Sequence, residues 1–147
     1  MIDRRLKSTW WLLKLAIGLV PLLAGLDKFF NVLTNWTDYL DPAVLSVVPV
    51  TAQDFMHGVG VVEILVGLAI LTRWTRLGAY LAALWLAAIA TSLFAMGRFY
   101  DVAVRDVVLS AAAFCLARLT GIVRAEVTAS APARAERYEG GLLRLNL

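Results

Sequence analysis

The residues that most redox and metal chemistry requires are nearly absent from this chain. Its 147 residues include one cysteine, Cys115, and one histidine, His57. A single thiol forms neither an intrachain disulfide nor a C-x-x-C dithiol. A single imidazole supplies neither a multi-histidine zinc site nor a bis-histidine haem within one chain. Cys115 reads instead as a small buried apolar residue. Charge is also scarce: Asp, Glu, Lys and Arg make up 17% of the chain, against roughly 25% in soluble domains. No basic helix or stripe is present and the aromatics lie in apolar runs, which argues against nucleic acid as a partner. Internal repeats and low-complexity tracts are missing too.

Apolar residues are abundant. The chain is 61% hydrophobic with mean hydropathy +0.75, and a soluble domain of this length cannot hide that much apolar surface. Four runs approach the roughly 20 residues needed to cross a bilayer: about 10–30, 55–72, 77–96 and 102–119. The expected fold is all-α, an integral membrane antiparallel four-helix bundle over residues 1–119, followed by a cytoplasmic tail over 120–147. The first run is longer than the apolar core of a signal peptide and no clear A-x-A site follows, so it is expected to remain as a span. In the tail, Leu142-Leu143-Arg144-Leu145 is a candidate for docking on a partner or on the membrane.

Orientation follows from the basic residues. Arg4, Arg5, Lys7, Lys14, Arg73, Arg76, Arg118, Arg124, Arg134, Arg137 and Arg144 fall on one side, and only Lys28, Arg98 and Arg105 on the other. Both termini are therefore expected to be cytoplasmic. The long outer loop, 31–54, is too apolar to be free. It is expected to lie on the outer interface as a short helix, with Pro42 and Pro49 breaking regular structure. Trp10, Trp11, Trp36 and Trp74 read as interfacial belt residues, and Trp85 as packing inside a span.

Helical spacing places the polar residues. Gly18, Pro21, Gly25 and Lys28 share one face of the first span. Met56, Gly60, Glu63 and Gly67 share one face of the second. Asp106, Ser110, Ala113 and Ala117 share one of the fourth. Small residues let membrane helices approach closely, so these faces point inward and carry Glu63 with them. A carboxylate at that depth needs a partner. The expected buried polar network is Lys28, Glu63, Arg98, Arg105 and Asp106, with Lys28 and Arg105 as the cations nearest Glu63. It serves either to fix helix packing or to line a cavity open to the outer face. His57 and Asp27 are further candidates for a ligand or proton contact.

The segments Gly25-Leu26-Asp27-Lys28-Phe29-Phe30-Asn31, Asn35-Trp36-Thr37-Asp38-Tyr39-Leu40, Gly58-Val59-Gly60-Val61-Val62-Glu63 with Gly67, and Gly97-Arg98-Phe99-Tyr100-Asp101-Val102-Ala103-Val104-Arg105-Asp106 give the chain its likeness. Over about residues 10–119 it resembles the DoxX-like family of small four-helix bacterial membrane proteins. The resemblance implies a bacterial inner-membrane protein linked to quinone-dependent redox assemblies. With no dithiol or multi-histidine site, an accessory or anchoring subunit fits better than an autonomous enzyme. No intrinsic cofactor is expected, and a quinone contact is left open. The surroundings expected are the lipid bilayer and other membrane or redox subunits, with a homo-oligomer open. Two other functions stay in play: a small transporter or ligand-binding bundle built on Lys28, Glu63 and Asp106, and a quinone-linked oxidoreductase subunit.

Overall fold

A computed structural model describes the backbone of residues 4–145 and the side chains of 5–129. Among the described residues the chain is helical, with no strand. The elements are α1 (Arg4–Asp27), a 3-10 turn (Trp36–Tyr39), α2 (Pro42–Val47), α3 (Ala52–Leu71), α4 (Thr75–Met96) and α5 (Tyr100–Leu145). Four helices are long and apolar enough to cross a membrane: Arg5–Asp27, Ala52–Leu71, Thr75–Met96 and Tyr100–Ala129.

The helices pack as two close pairs, α1 with α3 and α4 with α5. Glycine makes the first pair. A Cβ on Gly25 would stand 2.6 Å from the Gly60 carbonyl oxygen, and one on Gly60 would stand 2.7 Å from that of Gly25. A Cβ on Gly67 would meet the Gly18 oxygen at 2.9 Å. The two glycine pairs fit one register with α1 and α3 running in opposite directions. Alanine makes the second pair. Ala79, Ala82 and Ala83 of α4 and Ala113 and Ala117 of α5 are buried in one cluster with Ile17, Ile70 and Leu116. Ser110 Oγ donates to the Ala83 carbonyl at 2.7 Å. Here too the chains run oppositely, since Tyr80 meets Phe114 and Arg76 meets Gly121.

Capping explains where helix ends depart from the apolar runs. Thr51 caps α3: Asp54 N donates to Thr51 Oγ1 at 3.1 Å, and Thr51 Oγ1 donates to Asp54 Oδ2 at 2.6 Å. This side-chain cap starts α3 at Ala52, before the apolar run begins at Phe55. Gly97, at φ 70°, ends α4 in the left-handed conformation. Pro42 does not break a helix but opens one. It stands in the first turn of α2, behind Asp41, whose side chain accepts from Ala43 N.

The expected boundary at residue 119 is not a structural break, because α5 runs through it. Arg118, Arg124 and Glu126 end the apolar run in sequence, yet all three sit on the exposed face of the helix. Thr120 and Val123 continue its buried face. The side chains of Leu142-Leu143-Arg144-Leu145 lie outside the described residues. Cys115 is exposed on α5, not buried as its residue type suggested.

The α1–α3 contact can be tested by adding one methyl group at two positions. Gly60→Ala forces backbone apart from backbone and should cost about 1–3 kcal/mol, in line with other overpacked sites. Gly58→Ala meets nothing within 4 Å and should hold or gain up to about 1 kcal/mol from helix propensity. Thermal unfolding in detergent measures both; equal effects would contradict the close approach.

Candidate functional site

Register and side-chain tilt together build the polar centre. In the glycine-set register Lys28 stands opposite His57, six residues or about 9 Å along the axis from Glu63. Side chains on a helix lean toward its N-terminus. Because α1 and α3 run oppositely, Lys28 and Glu63 lean toward each other and close that gap. Lys28 Nζ donates to Glu63 Oε2 at 2.5 Å, with side chains only 4% and 8% exposed. Taking two such charges out of water costs several kcal/mol each, so the pair persists only when tightly joined and supported by further contacts.

The loop supplies that support. The Trp36 ring lies over Lys28 Nζ at 3.7 Å from its centroid, a cation–π contact worth about 2 kcal/mol where water is excluded. Trp36 Nε1 donates to Asp27 Oδ2 at 2.8 Å. Asp27 also accepts from Val32 N at 3.0 Å and from Leu33 N at 3.0 Å. Asn31, at φ 52°, turns the chain so that these donors face back. Asp27 is therefore a buried anchor that seats Trp36 over Lys28. Tyr39 extends the stack from Trp36 to Phe99, with centroids at 6.1 and 4.5 Å. Trp36 is thus half-buried, tied to the polar centre through its ring and its N–H.

The structure separates the expected network into parts. Asp106, 3% exposed, is buried on α5, close enough for its charge to act on Lys28 and Glu63. Its own partner is Arg105, whose Nη2 and Nε each lie 3.0 Å from Asp106 Oδ1. Arg105 is 59% exposed and does not reach Glu63, because adjacent helix positions diverge by about 100°. Arg98 is exposed as well, its guanidinium 5.0 Å from the Phe99 ring centroid. It lines a shallow cleft with Asp38 and Asp41 and is not part of the buried network. His57 stacks on Phe29 at 4.9 Å and 6°. Its Nε2 lies 2.8 Å from Gln53 Nε2, so its position is fixed within the α1–α3 pair.

Two features escaped the sequence reading. Trp85 Nε1 is buried and interacts with the Glu63 carboxylate, though without ordinary hydrogen-bond geometry. At the opposite end, Lys14 is 5% exposed and its Nζ donates to the Thr72 carbonyl at 3.0 Å. Thr72 is the C-cap of α3, where unpaired carbonyls favour a cation. Thr75 Oγ1 reaches the same oxygen at 3.0 Å and Ile70 O at 2.8 Å. Trp10 Nε1 donates to Thr120 Oγ1 at 2.8 Å, which ties the half-buried Trp10 to α5. The spacing did contain this signal. Lys14 precedes Gly18 by four residues, on the same face as Gly25 and Lys28.

Among the described residues no three His, Cys, Asp or Glu side chains gather as a metal site would require. Comparison with family models, characterised proteins and solved structures finds no match in any of the three.

The charge pair has a clear mutational signature. Glu63→Gln leaves Lys28 buried without its counter-charge and should cost about 3–5 kcal/mol. Joint replacement, Lys28→Met with Glu63→Leu, should recover most of that loss, because neither charge is then stranded. Unfolding of Lys28→Met, Glu63→Leu and their combination in detergent gives the coupling. Additive losses would show that the two residues do not act as a pair.

Proposed function

We propose that the chain is a multi-pass protein of a bacterial inner membrane, an antiparallel four-helix bundle with both termini cytoplasmic. Its role is that of a non-catalytic accessory or anchoring subunit. The exposed faces support the membrane reading: Leu12, Leu23, Leu65, Leu84, Val108 and Phe114 are each at least half exposed along the four long helices. Water would penalise that surface, whereas lipid does not. Arg73, Arg76, Arg118 and Arg124 gather toward one end, in keeping with the positive-inside orientation.

One observation carries the accessory role: the Lys28–Glu63 pair is closed beneath Trp36. Each buried charge is matched within the chain, and the matching fixes how α1, α3 and the loop fit together. Such a core suits a rigid scaffold whose outer faces meet other subunits. The link to a quinone-dependent redox assembly rests on the family resemblance of residues 25–31 and 97–106. A second reading, a ligand-binding or transport bundle, draws on the buried Trp85 N–H beside Glu63, which forms no well-aligned hydrogen bond, with Trp36 as a movable cover.

Purification of the tagged full-length chain from its native membranes in mild detergent distinguishes the two. Other membrane polypeptides at fixed stoichiometry are expected for an accessory subunit. A monodisperse chain without companions would overturn that role. Topology has its own test in a Cys115→Ala background. A cysteine at Asp41 should react with an impermeant thiol reagent added outside intact cells, and one at Lys7 should not. The reverse pattern would invert the orientation.

A further inference from the structure

Three guanidinium groups converge at the end of the bundle away from Glu63. Arg73 and Arg76 flank the first residues of α4, and Arg124 projects from α5. With Trp74, Leu77 and Tyr80 they line an open groove of about 470 Å³. Contacts hold each cation in place. Arg73 lies 5.5 Å from the Trp74 ring centroid. Arg76 rests against α5 at Gly121, its guanidinium carbon 3.6 Å from where a Cβ on that glycine would stand. Arg124 Nη2 donates to the Arg73 carbonyl.

Among the described residues no carboxylate forms an ion pair with them; the ion pairs are Lys28–Glu63 and Arg105–Asp106, both at the other end. Three like charges around one groove repel one another, and a bound anion would relieve the repulsion. Guanidinium groups present paired donors that match phosphate oxygens. The walls favour one kind of phosphate. Leu77 is 51% exposed and Phe114 50% exposed, and Phe114 packs edge-on against Tyr80 at 5.8 Å. From the arginines, an apolar strip therefore runs along the helices toward the middle of the bundle. A ligand that fills both parts has an anionic head and a hydrocarbon tail.

We propose that this groove binds the phosphate of an anionic phospholipid, with its acyl chain along Leu77, Tyr80 and Phe114. The proposal rests on the membrane reading above. In that orientation the groove lies at the cytoplasmic headgroup level, where basic pockets between helices take up such lipids.

Native mass spectrometry of the detergent-purified full chain, titrated with phosphatidylglycerol or with phosphatidylcholine, tests it. Phosphatidylglycerol should be retained and phosphatidylcholine lost. Arg73→Gln, Arg76→Gln and Arg124→Gln combined should weaken phosphatidylglycerol binding well over tenfold, at about fivefold per arginine. Lys7→Gln removes one exposed cation elsewhere and should leave binding unchanged. Equal binding of the two lipids, or undiminished binding by the triple variant, would overturn the site. Displacement of phosphatidylglycerol by an equal concentration of inorganic phosphate would overturn the lipid assignment. Alkaline carbonate washing of native membranes reads the membrane assignment separately. Release of the chain would sink that reading whatever the lipid result, and retention with no lipid preference would sink this one alone.

Discussion

At Gly25 and Gly60 a hydrogen replaces the methyl that any other residue would carry, and the backbones of α1 and α3 come together there. A Cβ at either position would stand under 3 Å from the other's carbonyl oxygen. Between apolar helices in lipid, packing and hydrogen bonding hold neighbours together, since hydrophobic exclusion is weak there. The close approach also fixes the register. With the register fixed, two side chains six residues apart along the axis lean toward each other and meet. Sliding α1 by one turn would carry Lys28 out of reach of Glu63.

Charge then dictates how the loop folds. A lysine and a glutamate shielded from water require each other, and the ammonium still has an open side. Trp36 covers that side with its ring while its N–H is held by Asp27. Asp27 in turn gathers the backbone N–H groups of Val32 and Leu33. The chain leaving α1 is therefore folded back by polar contacts that belong to the charge pair. The opposite end solves a similar problem differently. Among the described residues Lys14 has no carboxylate there; it meets the carbonyl end of α3. One buried cation is thus balanced by a side chain and the other by a helix terminus.

The two ends of the bundle also differ in what they leave exposed. At the loop end, acids and bases are paired or face each other, as Arg105 with Asp106 and Arg98 with Asp38 and Asp41 do. At the end where α3 turns into α4, Arg73, Arg76 and Arg124 share a groove with aromatic and aliphatic walls. An electrostatic gradient along the long axis results, and it is the same asymmetry that orients helices across a membrane.

Periodicity in the sequence alone specified four long apolar helices and the inward faces of three of them. Met56, Gly60, Glu63 and Gly67 follow from spacing because a helix repeats about every 3.6 residues, and all four are buried in α3. Spacing also placed Lys28 and Glu63 on inward faces. It could not say which neighbouring cation reaches Glu63. Arg105 looked as suitable as Lys28, and only the packing of α5 turns it outward onto Asp106. Nor could local pattern place Trp36, Trp10 or the arginine groove. Trp36 reaches Lys28 through a turn at Asn31, Trp10 meets a threonine 110 residues away, and Arg124 meets the carbonyl of Arg73. Helix faces arise from local repeats and are legible in one dimension. Contacts between distant segments depend on how closely the helices approach and in what register, and the tertiary structure decides that.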